Sequence, residues 1–245
     1  MRLTLRQATA RRTSPDRPAL VLVGNARIQQ DLGAFIDSFD CVVRCNDVKN
    51  WGKNCGVRTH VLFVNNHGGT PCERMVSTQS LRSRAQFPEV REAWFSCPEN
   101  VWSRAILDSN QLNHLGTHYA SEHMRSDMIE ALKAVRHTSF EMPSTGFCAF
   151  WHLTHEDRFQ GCDIYLTGFS FEVWEGHPQD AEKELILAAC RDSNRLHFVP
   201  VSASWEFARN LRNQLRFVRK HVRTMLQLLA SRGLSLYHFK ASNSN

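Results

Sequence analysis

Ala19-Leu20-Val21-Leu22-Val23-Gly24-Asn25 follows the polar lead-in Ser14-Pro15-Asp16-Arg17-Pro18, and its reading decides the fold class. Five apolar residues in succession, with no polar alternation, predict a strand buried on both faces and closed by Gly24. Ile28, Leu32, Phe35 and Ile36 then recur at i, i+4, i+7 and i+8, which predicts a helix with one apolar stripe. Outward from this unit, Cys41–Cys45, Thr59–Val64, Glu92–Cys97, Asp163–Thr167 and Leu196–Val201 have the length and composition of further buried strands, with helical spacing between most of them. The alternation predicts an α/β chain with a single Rossmann-like, doubly wound, mostly parallel sheet flanked by helices. Residues 65–71 carry two glycines and no periodicity, and 99–117 are irregular, so both read as rims over strand ends.

The chain has 245 residues, 42% of them hydrophobic, which fits one domain over 19–245. Residues 1–18 read as a flexible basic segment; the first fourteen, with Arg2, Arg6, Arg11 and Arg12 and no acid, also have the composition of a transit peptide. From Ala203 onward the pattern is one long amphipathic helix. Its basic side carries Arg209, Arg212, Arg216, Arg219, Lys220 and Arg223. Such a face suits anionic lipid headgroups, each residue near the surface contributing about 1 kcal/mol, although docking of the apolar stripe on the sheet is the commoner use. The net charge of +6 favours an anionic partner, but without interleaved aromatics nucleic acid is not expected. No run of about 18 apolar residues or secretion-type leader is found, so the expected location is cytoplasmic, with the inner face of the membrane as an option. Eight cysteines without a C-x-x-C pair read as free thiols. His152-Leu153-Thr154-His155-Glu156 inverts the zinc-protease order, and His114, His118 and His123 lack a completing ligand. Packing or surface roles are expected for all five, with no metal.

Ligands of open parallel sheets collect where strands exit into helices. Gly24-Asn25, Asn46-Asp47 and Pro143-Ser144-Thr145-Gly146 stand at such exits or at a helix start. Gly24 permits close backbone approach, and the Asn25 and Asn46 amides offer a donor and an acceptor to ribose or phosphate; turn formation is the alternative role of each asparagine. Ser144 or Thr145 can cap a helix through Phe147, Phe150 and Trp151, whose N-terminus is a phosphate site. Thirty-one residues after Gly146, His177 precedes Pro178, a favoured first helical residue. The positive end of a helix favours neutral imidazole, the form that accepts a proton. The G-x-G-x-x-G fingerprint is missing after Val23, which argues against NAD.

In order and spacing, these segments resemble the sialyltransferases of glycosyltransferase family 29. Leu22-Val23-Gly24-Asn25 through Val64-Asn65 is similar to the large sialyl motif, Pro143-Ser144-Thr145-Gly146 through Cys162-Asp163-Ile164-Tyr165 to the small one, and His177-Pro178 through Glu182-Lys183 to the very short H-x-x-x-x-E motif. The resemblance spans roughly residues 19–185. It implies a variant GT-A fold and an inverting, metal-independent transfer from a CMP-sugar donor to a glycan or lipid-linked oligosaccharide acceptor. It also implies that Gly24, Asn25, Asn46, Ser144, Thr145 and Gly146 bind the donor nucleotide, that His177 is the catalytic base, and that Asp47, Glu182 and Trp174 support the site, Glu182 by bracing the His177 loop. Two departures stand out. Phe169 to Gly176 lacks the family's further histidine motif, leaving Trp174 as a candidate replacement, and Pro18 and Phe159 occupy the places of the animal members' disulfide. The match is thus to a compact bacterial-type relative, with CMP-sialic acid or CMP-Kdo as donor for capsule or lipopolysaccharide. A non-catalytic nucleotide- or membrane-binding module is the competing expectation.

Overall fold

The computed structural model describes residues 17–52, 54–81, 89–135, 140, 142–171 and 176–201. The long basic helix expected from Ala203, the segment 1–16 and Trp174 lie outside them. Seven strands among the described residues form one sheet: β1 (Ala19–Val23), β2 (Cys41–Cys45), β3 (Val61–Val64), β4 (Glu92–Phe95), β5 (Gly116–Tyr119), β6 (Asp163–Thr167) and β7 (Leu196–Phe198). Their order is β5-β4-β3-β2-β1-β6-β7, and every pairing is parallel. The chain winds outward from β1 to β5 and then crosses back to the other side of β1, which makes the sheet doubly wound with its reversal point between β1 and β6.

Register sorts the core. Val21, Val23, Val42, Arg44, Leu62, Val64, Ala93 and Phe95 share one face, and Leu22, Val43, Cys45, Phe63 and Trp94 the other. Helices α1 (Gly33–Asp37), α2 (Thr70–Thr78) and α3 (Val101–Asn110) supply the apolar groups of the first face, including Phe35, Ile36, Cys72, Met75, Ile106 and Leu107. Helices α4 (Glu122–Val135), α5 (Thr145–His155) and α6 (Gln179–Asp192) pack against one another, with α5 lying on β2 and β3. Each fully buried Leu, Ile or Phe of these layers stabilises the fold by roughly 1.5–3 kcal/mol. No described helix is long and apolar enough to cross a membrane.

Two sequence expectations need correction. The helix predicted from Ile28 is only the five residues of α1, because Gln29 N–H and Leu32 N–H donate to Val201 and Asn54 carbonyls instead of building a helical ladder. Ile28 still reaches the same apolar cluster from the preceding loop. The stretch 99–117 is not irregular: Asn100 caps α3, accepting from Trp102 and Ser103 N–H while Ser103 Oγ accepts from Asn100 N–H. The same stretch leads into β5, an edge strand whose Gly116 and Thr117 are exposed and so give no apolar run.

Candidate functional site

At the reversal point the β1 and β6 exits meet through two glycines. Gly24 N–H donates to Thr167 O at 2.8 Å and Ala26 N–H to Gly168 O at 2.9 Å. A Cβ on Gly24 would collide with Gly168 O, and Gly168 itself has φ +75°, so both positions require glycine. Gly24 and Gly168 thus stand in direct backbone contact at the β1 and β6 exits. An open cleft of about 310 Å³ lies to one side, over the exits of β3 and β4, lined by Asn65 and Ser96 from the sheet, Arg125 and Lys133 from α4, and Met142 and Pro143.

A chain of polar contacts borders this cleft, meeting its lining at Asn65 and Met142. Asn46, in the left-handed region at φ +43°, accepts from Asn65 N–H at 2.9 Å through Oδ1 and donates to Thr145 Oγ1 at 3.0 Å. It therefore joins the β2 and β3 exits to the start of α5. Ser144 is the N-cap of α5, its Oγ accepting from Phe147 N–H at 3.2 Å. The Ser144 N–H and hydroxyl donate to the two carboxylate oxygens of Glu182 at 2.6 and 2.7 Å. His177 stands just before Pro178, the N-cap of α6, and its Nδ1 donates to Met142 O at 2.8 Å. Asn46, Thr145, Ser144, Glu182 and His177, far apart in sequence, are thus linked around residues 142–145. Gly146 sits under the Phe169 ring, where a Cβ would be 2.9 Å from Cε1.

Other predicted residues take different positions. Asn25 bridges the β1 and β2 exits, donating to Cys45 O and accepting from Lys49 N–H, both at 3.0 Å. Asp47 faces α2, pairing with Arg74 and accepting from Ser80 Oγ. Glu182 was expected to brace the His177 loop; its two short hydrogen bonds brace the Ser144 turn. Burial raises the Glu182 pKa above the usual carboxylate range, while the Ser144 hydrogen bonds and the nearby His177 pull against it.

Glu182→Ala will leave two half-buried donors, the Ser144 N–H and hydroxyl, without their acceptor and is expected to lower stability by about 1–3 kcal/mol, whereas Glu182→Gln retains an acceptor and will cost less. The raised folded pKa sets the sign with pH. Between the unfolded glutamate value and the folded one the native state holds the extra proton, so stability falls as pH rises through that window. Urea midpoints taken across it should show that slope in the wild type and a shallower one in Glu182→Gln.

The cleft's basic residues escaped the sequence reading. Arg125 and Lys133 stand at i and i+8 on α4, with Ile129 between them, a visible but unspecific stripe. Arg125 donates to His67 Nδ1 at 3.1 Å; burial and that guanidinium lower the His67 pKa. Cys148 also lines the cleft, but burial raises its thiol pKa well above normal and leaves it a poor nucleophile.

No family model matches the chain. A curated relative, the urease operon 23 kDa accessory protein of Rhizobium meliloti (strain 1021), is 26% identical over 206 residues, covering 73% of this chain and 92% of that protein. A solved structure of the sialyltransferase CstII from Campylobacter jejuni, in complex with the substrate analogue CMP-3FNeuAc, is similar over 75% of this chain and 79% of that one, with 12% identity and a TM-score of 0.46.

A second polar cluster lies at the far end of α5. His118 Nε2 is 2.6 Å from Glu156 Oε1, and Arg158 Nε donates to Glu156 Oε2 at 2.9 Å. Burial tends to raise the Glu156 pKa, but the His118 hydrogen bond and the charges of His152, His118 and Arg158 outweigh it, so the group is held below its ordinary value. His152, expected to be a packing residue, is buried against Trp94 and Phe63, and burial lowers its pKa to about 4. His155 stacks on Trp151 at the surface.

Proposed function

We propose that this chain is a sialyltransferase-like glycosyltransferase, moving sialic acid or a related 2-keto acid sugar such as Kdo from a CMP donor to an acceptor hydroxyl, with the family 29 motifs as its working parts. The observation that carries this reading is the linkage of Asn46, Thr145, Ser144, Glu182 and His177 around residues 142–145, beside a cleft bearing Arg125 and Lys133. These residues come from three ordered motif matches, and the cleft's charge suits a donor whose phosphate and sugar carboxylate are both anionic.

Under this reading His177 is the base. Its Nδ1–H is given to Met142 O, so the neutral ring carries its lone pair on Nε2. The acceptor oxygen forms its bond to the anomeric carbon as Nε2 takes the hydroxyl proton. The bond from that carbon to the phosphate oxygen breaks on the opposite side, inverting the centre and releasing CMP. The N-terminus of α5, held by its Ser144 cap, stabilises the charge that grows on the departing phosphate. Asn25 and Asn46 then belong to the nucleotide end. The step as drawn uses no metal ion. A glycan or lipid-linked acceptor and contact with an anionic membrane through the basic C-terminal segment complete the proposal.

One observation favours a second reading. The 26% identical relative carries the name of an accessory protein, which suits a non-catalytic nucleotide-binding module that keeps the crevice and not the chemistry. Thermal stabilisation by CMP, UMP, AMP and NAD, followed by CMP release from CMP-sialic acid or CMP-Kdo with acceptor, separates the two. The transferase reading expects cytidine-selective stabilisation, of about 2.7 kcal/mol at one hundred times Kd, and turnover. Cytidine-selective binding without turnover of either donor would support the module, and no cytidine preference would sink both the donor assignment and the motif carry-over.

A further inference from the structure

We propose that His118, His152 and Glu156 form a binding site for one divalent transition-metal ion of the zinc class, joining the edge strand β5 to the C-terminal end of α5. Among the described residues these three bring one ligand atom each to within 4.8 Å of one another. Two imidazoles and a carboxylate are a donor set suited to zinc, and three protein ligands leave a fourth position for water. His118 is the accessible member, its side chain 36% exposed, so an ion has a path from solvent.

His152 supplies the second, independent observation. It is 1% exposed, and among the described residues neither ring nitrogen has a hydrogen-bond partner. Its Nε2 lies 2.9 Å from Glu156 Oε1, close enough for an ion pair by distance but not aligned as a hydrogen bond. A buried unsatisfied ring nitrogen costs about 1–3 kcal/mol, so its retention asks for a partner. Misalignment is what ligation requires, because a ligating nitrogen points at the metal and not at the neighbouring ligand. Ligand atoms around a tetrahedral zinc stand roughly 3.3 Å apart, given metal–ligand bonds near 2.0–2.1 Å. Reaching that spacing means opening the 2.6 and 2.9 Å separations from Glu156 Oε1 by roughly 0.4–0.7 Å, and bringing the two imidazole nitrogens, which lie within 4.8 Å of one another, to the same distance.

The surroundings form an outer shell. Arg158 holds the other Glu156 oxygen, fixing the carboxylate so that Oε1 faces the histidines. Its own charge opposes a cation, but it is shared with Glu92 at 3.6 Å and with the Trp94 ring at 4.4 Å. Trp94 lies against both imidazoles. The 11 residues of α5 separate this cluster from Ser144 by about 16 Å, at roughly 1.5 Å per residue, so the ion would take no part in the transfer chemistry.

The test uses the full chain, stripped with chelator and titrated with Zn²⁺ and, separately, Co²⁺. One equivalent of Zn²⁺ is expected to bind and raise the melting temperature, and Co²⁺ to give intense visible bands of a tetrahedral nitrogen–oxygen site without thiolate charge transfer. Loss of an outer-shell partner already weakens metal sites about 10–100-fold, so His118→Ala should bind at least that much more weakly and lose the Co²⁺ bands. His152→Phe, which keeps the ring packing, should do the same. Unchanged Zn²⁺ affinity in folded His118→Ala, thiolate bands with Co²⁺, or no binding by the wild type would each overturn the site.

Discussion

Arg44→Met is expected to lower the unfolding free energy by about 3–5 kcal/mol, the largest loss of stability predicted for any single side chain here. Arg44 is 1% exposed and stands on the sheet face otherwise made of Val21, Val42, Leu62 and Ala93. Its guanidinium donates to the carbonyls of Asn50, Cys55 and Arg58, all from the loop after β2. A planar fork of donors can serve three carbonyls at once, each bond being charge-assisted. Methionine matches the stem and gives back some apolar contact, but strands those carbonyls in the interior. Arg44→Lys keeps the charge with a single ammonium that cannot span the three acceptors, so it should recover only part of the loss. The effect should also reach the site, because Asn50 Nδ2 donates to both Gly24 O and Ala26 O at 2.6 Å. A fall in the urea midpoint at constant slope, with weaker nucleotide stabilisation of the remaining folded protein, is the expected pattern. A loss under 1 kcal/mol would mean that the loop finds other donors.

Arg44 also marks where the sequence is informative and where it falls silent. In the linear chain it is a charged residue inside an apolar run, visible only as part of a motif, since nothing local says that three carbonyls will surround it. The strands β1, β2 and β6 were legible to the residue because burial on both faces leaves continuous apolar runs. Edge strand β5 was not, as its exposed Gly116 and Thr117 remove that signal. An N-cap at Ser144 or Thr145 could be read, being set by local backbone geometry, and Ser144 fills it. Its bond to Glu182 could not, because it spans 38 residues and depends on how α6 is laid across α5. For the same reason the cleft lining from α4 and the His118–His152–Glu156 cluster emerge only when the folded sheet brings β5 to the C-terminal end of α5.

If the chain is the transferase proposed above, His177→Asn is expected to lower kcat for transfer by roughly 10²- to 10⁴-fold, the range ascribed to a positioned general base, while leaving stabilisation by CMP close to that of the wild type. The choice of asparagine decides between two roles. In the structure His177 Nδ1 donates to Met142 O at 2.8 Å, and this bond helps to place residues 142–145, which carry the α5 cap. The asparagine amide nitrogen can occupy nearly the position of Nδ1 and keep that bond, but it has no basic atom where Nε2 would meet the acceptor hydroxyl. His177→Gln inverts the comparison, since its amide reaches toward the Nε2 position and leaves Met142 O to other donors. If His177 acts as the base, both variants lose turnover, and only the glutamine variant also loses melting temperature and CMP binding. If it is a positioning residue for the 142–145 turn, asparagine should restore most of the rate. Because loss of a base leaves ground-state binding of the donor intact, kcat should fall with KM for the CMP-sugar nearly constant. A parallel rise in KM would shift the assignment from proton transfer to the architecture of the turn.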